Sequence, residues 1–205
     1  MKPKANLIYT IGHSSHDIAG FLHLLKLHEV SVVADVRSSP YSRYLPRFNR
    51  EQLQNDLRAA GISYVFLGAE LGARSADPNC YIEGRVQYNK LAQNPQYEKG
   101  LERLASGASS HLIAVMCSEK DPLDCHRTLL VSQSLVARGF QISHILSDGA
   151  IEAHESTLSR LLSQMGLPEQ DLFRGRSEIL SEALKKQEYR IAYVDKGMRE
   201  TGGYE

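Results

Sequence analysis

With 205 residues, 42% of them hydrophobic, the chain can bury the core of one large domain, and a second full domain would be cramped. Its 24 basic and 24 acidic side chains cancel, which excludes a surface built throughout for nucleic acid and leaves room only for a local basic patch. No apolar run approaches the roughly 20 residues that span a bilayer, and three cysteines behind a start that reads as a strand, not an export signal, fit free thiols in the cytoplasm.

Short β-branched runs alternate with helical patterns along the chain. "NLIYTI" reads as a strand, followed by a helix over "DIAGFLHLLKLHEV", where Ile18, Phe21, Leu22 and Leu25 share a face. "SVVADV" is apolar enough throughout to be a buried parallel strand. "NREQLQNDLRAAG" gives a polar-faced helix with Asn49 as N-cap and Gly61 as stop, and "ISYVFLG" a third strand. Residues 73–88, with Asp77-Pro78 and Gly84, read as a mobile loop before a helical region through "QYEKGLERLA". "HLIAVMC" is the fourth strand, "RTLLVSQSLVARG" a helix, "QISHILS" the fifth strand and "HESTLSRLLSQMG" a closing helix. After Gly166 the pattern weakens, and "YRIAYVD" reads either as a late strand or as a docked tail.

This alternation is that of right-handed crossovers in a parallel sheet. The expected fold is α/β: a single three-layer, Rossmann-like or flavodoxin-like domain over 1–165, with an open, mostly parallel sheet and helices on both faces. A short C-terminal extension over 166–205 is packed on it or partly mobile. In such sheets ligands bind beyond the carboxyl ends of the strands. The residues there are Gly12, His13 and Ser14 after the first strand, Asp35 and Arg37 after the second, Gly68 after the third, Cys117 and Glu119 after the fourth, and Ser147, Asp148 and Gly149 after the fifth.

Two stretches carry the chemistry. "VRSSPYSRYLPRFNR" holds Arg37, Arg43, Arg47 and Arg50 without an acidic residue, interleaved with Tyr41, Tyr44 and Phe48. Guanidinium groups hold phosphate or carboxylate oxygens in pairs, and the rings offer faces to a base or sugar. "CSEKDPLDCHRTLL" packs Cys117, Cys125, His126 and Arg127 around a Pro turn. Its eight-residue cysteine step lacks the paired spacings of a zinc knuckle, and the neighbours Cys125 and His126 would diverge by about 100° on a helix. No metal ligand is therefore assigned. A phosphatase-type Cys-x5-Arg loop also fails, because Leu123 stands six residues after Cys117. The better fit is a helix opening at Asp121-Pro122 or with Asp124 as N-cap, whose first-turn amides and Arg127 favour an anion and depress the pKa of the nearby thiol. The alternative is that Cys125 is a small buried hydrophobe and Arg127 pairs with Asp35 or Glu119. His144 and His154 are read as structural.

"YTIGHSS", "VVADVRSSPYSR", "FLGAELG", "MCSEKDPLDCHRTLL" and "HILSDG" together resemble the domain of unknown function (DUF) 488 family, in order from about Leu7 to His154. The resemblance implies an α/β domain and no established reaction. It carries over His13, Asp35, Arg37, Cys117, Glu119, Cys125, His126 and Arg127. The leading functional expectation is an enzyme that binds a phosphate- or carboxylate-bearing ligand, such as a nucleotide or nucleic-acid component. His13, Glu119, Cys117 and Cys125 would be its catalytic candidates. Gly12, Ser14, Asp35, Arg37, Tyr41, Arg43, His126 and Arg127 would contact the ligand. A non-catalytic nucleic-acid-binding module using loop 37–50 is the alternative, and a metal- or redox-sensing thiol site a third. No cofactor is named, and neither catalysis nor oligomeric state follows from the sequence.

Overall fold

The computed structural model describes residues 6–14 and 16–199, so the last six residues of the C-terminal extension lie outside it. The elements in chain order are β1 (Leu7–Gly12), α1 (Ile18–Leu27), β2 (Val32–Asp35), α2 (Arg50–Ala59), β3 (Ser63–Phe66) and α3 (Gly68–Leu71). There follow β4 (Tyr81–Ile82), β5 (Arg85–Val86), α4 (Tyr88–Ala92), α5 (Pro95–Ala108), β6 (Ile113–Cys117) and, after a π-helical turn over Arg127–Ser132, α6 (Gln133–Val136). The chain closes with β7 (Gln141–Ile145), β8 (Ile151–Ala153), α7 (His154–Gln164), α8 (Arg176–Ile191) and α9 (Lys196–Arg199).

The six-stranded sheet runs β3-β2-β6-β1-β7-β8, parallel except for β8, as expected of a three-layer α/β domain. The core divides by strand alternation. Val33, Ala114, Met116 and Ile11 face Phe21, Leu25, Leu53 and Leu57 of α1 and α2. Val32, Ala34, Val115 and Ile8 face Leu101 and Leu104 of α5 and Leu130 and Leu135 beyond β6. The helices following β1 and β2 thus cover one face, and the helix following β6, which lies between them, covers the other. This divergence opens a crevice at the carboxyl end of β6.

Three sequence expectations need correction. The turn through Gly149 (φ 88°) returns the chain as β8, paired antiparallel to β7, so "SDGAIEA" is a hairpin and not a plain strand-to-helix link. The stretch 73–88 is structured: β4 and β5 form a hairpin, and Cys80, Tyr81, Val86 and Tyr88 are buried. "YRIAYVD" is no late strand of the main sheet. It begins as the end of α8, whose buried stripe is Ile179, Ala183 and Gln187, and beyond it Val194 makes only an isolated bridge to Arg85.

Candidate functional site at the end of β6

Cys117 ends β6, and the loop above it is laced to β1: His13 N–H donates to the Cys117 carbonyl and Ser14 N–H to that of Ser118, both at 2.9 Å. Gly12 is needed here, because a Cβ on it would lie 1.9 Å from the Glu119 carbonyl oxygen. Asp121 caps a single 3-10 turn over Pro122–Asp124, its carboxylate accepting from Leu123 N–H at 2.9 Å. Cys125 is then extended (φ −137°, ψ 141°), while His126 is already helical (φ −61°, ψ −24°).

That break revises both arguments made from "CSEKDPLDCHRTLL". No helix runs on from Pro122, so Cys125, His126 and Arg127 do not share a first turn of free amides. The Cys125 N–H is taken by the Pro122 carbonyl and the Arg127 N–H by Cys125 Sγ at 3.4 Å. Nor do Cys125 and His126 diverge. The change of backbone conformation between these neighbours folds the imidazole back, leaving Nδ1 3.8 Å from Cys125 Sγ and 3.7 Å from Cys117 Sγ. The other ring nitrogen, Nε2, lies 3.1 Å from the Val36 carbonyl. A carbonyl only accepts, so Nε2 carries a proton and Nδ1 is the atom presented to both sulfurs. The Cys125 thiol also reaches Glu119 Oε2 at 2.9 Å.

Cys117, Cys125 and His126 are buried, Glu119 is exposed at the rim beside them, and the proton affinities of the four are linked. The hydrogen bond with Cys125 and then burial push the Cys117 thiol well up. Burial opposes ionisation of Cys125, but the Cys117 thiol, Arg127 and His126 outweigh it, so Cys125 is the more acidic thiol. Local dehydration of its carboxyl group against the cluster, and then the neighbouring Cys125, raise Glu119. For His126 burial acts downward, and the hydrogen bond and charge of Cys125 reverse the direction.

Arg127 occupies a different place from the ligand contact expected of it. It is fully buried, donating from Nη1 to the Glu119 carbonyl at 2.8 Å and from Nη2 to that of Lys120 at 3.4 Å. It braces the loop from beneath. Asp35, one of its suggested partners, belongs instead to Arg37, which grips the carboxylate with Nε at 2.9 Å and Nη2 at 2.6 Å. Tyr64 donates to the same carboxylate at 2.7 Å, and burial with Asp35 raises its phenol so that it stays a donor. Arg37 Nη1 donates to His13 Nε2 at 3.2 Å, which puts the His13 proton on Nδ1, 3.1 Å from the Ser14 carbonyl. Burial and Arg37 hold His13 at about 4, and its ring stacks on Phe48 at 4.3 Å.

A cavity of about 200 Å³ opens over Cys117, Glu119, Cys125 and His126, with Arg37, Ser38, Arg74, Tyr88, Ile191 and Tyr193 in its walls. A second hollow, lined by His13, Ser14 and Tyr41, shares Arg37, Ser39 and Ser118 with it. Sequence reasoning missed Arg74, Tyr88 and Tyr193. Arg74 lies exposed over the Tyr193 ring at 4.5 Å and pairs with no carboxylate among the described residues. No motif marked it, because α8 brings Tyr193 to it from far along the chain. Arg43 stands apart at the exposed loop tip, over Tyr44 at 4.8 Å, while Tyr41, bonded to Glu51 at 2.7 Å, reaches only the second hollow. His144 and His154 form a buried chain from Gln133 to Thr10: Gln133 Nε2 donates to His154, His154 Nδ1 to His144 at 3.0 Å, and His144 Nδ1 to Thr10 Oγ1 at 2.7 Å.

Fold and site together define an α/β protein with a buried thiol–imidazole cluster, bordered by the exposed carboxylate of Glu119, at the crevice of its sheet. The chain belongs to the family described as domain of unknown function DUF488, whose model matches residues 17–133. The match takes in Asp35, Arg37 and the whole loop from Cys117 to Arg127, and stops short of Gly12 and His13 on one side and "HILSDG" on the other. No curated protein and no solved structure matches the chain. Among the described residues no helix is long and apolar enough to cross a membrane.

Proposed function

We propose that the protein is an enzyme that draws the anionic end of a phosphate- or carboxylate-bearing ligand into the cavity above β6. Cys117, Cys125, His126 and Glu119 form its reacting centre. The observation that carries this reading is convergence: two sulfurs, one imidazole nitrogen and one carboxylate line the same wall, below the uncommitted guanidinium of Arg74. Clustering of coupled titratable groups in a cleft is a common mark of a working site. At about 200 Å³ the cavity is smaller than most ligand pockets, so it suits a small anion or one end of a larger molecule. The adjoining hollow along Arg37 and Tyr41 would take the remainder. His13 and Arg127 enter as positioning residues: both ring nitrogens of His13 and both terminal nitrogens of Arg127 are already engaged within the fold.

The test is protection from thermal unfolding by inorganic phosphate, pyrophosphate and nucleoside mono- and diphosphates. Wild type should be protected by at least one of them. Arg74→Ala should weaken that protection by about ten- to a hundredfold in apparent affinity, the worth of one charge-assisted contact. Cys125→Ser should keep the binding. Protection that persists unchanged in Arg74→Ala would refute the proposed anion entry.

Binding of single-stranded nucleic acid at the loop tip is the second reading, favoured by Tyr41 and Tyr44, 54% and 77% exposed, beside Arg43. Affinity for an oligonucleotide that falls steeply with salt and is lost in Tyr44→Ala would support it over the first.

A further inference from the structure

We infer that Cys117, Cys125 and His126 form a binding site for one divalent, thiophilic metal ion of the zinc type, with its fourth coordination position open to the cavity. The three ligand atoms, Cys117 Sγ, Cys125 Sγ and His126 Nδ1, all lie within 4.8 Å of one another. Zinc–sulfur bonds of about 2.3 Å and zinc–nitrogen bonds of about 2.0–2.1 Å make the edges of a tetrahedron roughly 3.5–3.8 Å long. The two Sγ···Nδ1 separations, 3.7 and 3.8 Å, already have that length. The third edge, Sγ···Sγ, lies within 4.8 Å, so a metal ion would enter by closing the two thiols by at most about 1 Å.

The surroundings of the imidazole point the same way. A metal-bound histidine characteristically donates its second N–H to a carbonyl or carboxylate, which fixes the ring and the tautomer. His126 does this through Val36, and its Nδ1 faces sulfur alone. Cys125 Sγ accepts the backbone N–H of Arg127 at 3.4 Å, a second fixed contact behind the ligand set. Had the cysteines served only to fill the core, nothing would require the imidazole to turn between them.

Charge selects the ion. Two thiolates and a neutral imidazole around a divalent cation sum to zero, the charge that a site with all three ligands buried tolerates best. Binding displaces the two thiol protons, and because Glu119 Oε2 lies 2.9 Å from Cys125 Sγ, its carboxylate takes up one of them or turns out to solvent as the thiolate forms. Three protein ligands with a position left for an exogenous one is the arrangement of catalytic zinc, whereas structural zinc is closed by four. Cys117, Cys125 and His126 all line the cavity, so the exogenous ligand would come from there. This last step rests on reading the cavity as the reaction centre; the binding of metal does not.

The experiment is to dialyse the purified, reduced full chain against Zn(II) or Co(II), pass it through gel filtration and measure metal by mass spectrometry. One equivalent per chain is expected, with Co(II) giving the intense thiolate-to-metal absorption of a tetrahedral site. Cys117→Ser, Cys125→Ser and His126→Ala should each lose the metal, and Cys80→Ser, a buried cysteine outside the set, should keep it. Should the serine variants not fold, X-ray absorption of zinc-loaded wild type gives the answer alone, with two sulfur scatterers expected. Wild type that retains no metal, zinc without sulfur neighbours, or equal loss from Cys80→Ser would overturn the site. Phosphate protection measured on the same metal-free protein keeps the proposed anion entry separate: it can stand while the metal site falls, and the reverse.

Discussion

Two buried histidines stand at the ends of neighbouring strands, His13 after β1 and His126 beyond β6, and they are used in opposite ways. Both nitrogens of His13 are engaged, one with Arg37 and one with the Ser14 carbonyl, and its ring lies against Phe48. His126 commits one nitrogen to Val36 and turns the other to two sulfurs. Burial is similar, yet only the second ring keeps a group whose partner can change. A buried polar residue is structural when its hydrogen-bonding capacity is spent and available for chemistry when part of it is held in reserve.

The largest effect that would sharpen this contrast comes from Arg127→Ala. Removing the guanidinium strands the Glu119 and Lys120 carbonyls and leaves a large void under the loop that carries His126. Stability should fall by about 4 kcal/mol in urea unfolding, combining two unsatisfied carbonyls with a cavity. A loss below about 1 kcal/mol would show that the loop is held from elsewhere. On the other side of the contrast, His13→Ala should cost about 2–3 kcal/mol through its hydrogen bonds and stacking while leaving phosphate protection intact. His126→Ala, which strands the Val36 carbonyl, should also cost stability but in addition lose the metal that His13→Ala keeps, and equal metal content in the two variants would dissolve the distinction.

Acid sharpens it next. His13 is held at about 4 by burial and by Arg37, with Arg127 adding to the depression and the Ser14 carbonyl and Asp35 opposing it, against an unfolded value near 6.5. Between those values the unfolded chain binds more protons. Stability from this group is therefore complete above about pH 6.5 and drains away as pH falls toward 4, by about 2 kcal/mol at pH 5. His144 and His154, lowered by burial to about 2 and about 4, act with the same sign. The neighbours of His144 are His154, Arg127 and Arg160, which lower it further, and Cys125, which opposes them; His154 faces Glu155. His13→Phe should remove its share of the acid loss and leave theirs, so an unchanged pH profile of unfolding would speak against the neutral His13 described above. The smallest change is Tyr64→Phe, which takes one hydrogen bond from Asp35 at a cost of about 1 kcal/mol. It should leave metal binding and anion protection at wild-type levels, and any loss of either would tie the Asp35–Arg37 pair directly to the sulfur cluster.

Much of this architecture was legible in the sequence, because periodicity and β-branched runs report strands and helices directly. The five parallel strands and the crowding of Asp35, Arg37, Cys117 and Glu119 at their ends follow from pattern alone. β8 was missed although Asp148-Gly149 is a hairpin signal, since three residues are too few to show alternation. α8 was missed because its buried stripe includes an alanine and a glutamine, Gln187, which pays for its burial by donating to the Leu123 carbonyl at 2.8 Å. The geometry of Cys125 and His126 depends on a single change of backbone conformation, which leaves no periodic trace.

One part of the cavity wall has a different origin from the floor, whereas Arg37, Ser38, Arg74 and Tyr88 share the floor's span. The sulfurs, the imidazole and Glu119 come from residues 117–126, inside the span matched to the family, while Ile191 and Tyr193 arrive from the end of α8, well beyond it. Tyr193 and Asp195 are tied back through the Val86 N–H to the Tyr193 carbonyl and the Asp195 N–H to the Gly84 carbonyl. If the cavity is the reaction centre proposed above, reactivity and selectivity are written partly in separable stretches of the gene. Mutations at the end of α8 would then recut the shape of what is admitted while Cys117, Cys125 and His126 stay untouched, a direct route to new ligands by divergence of the C-terminal end.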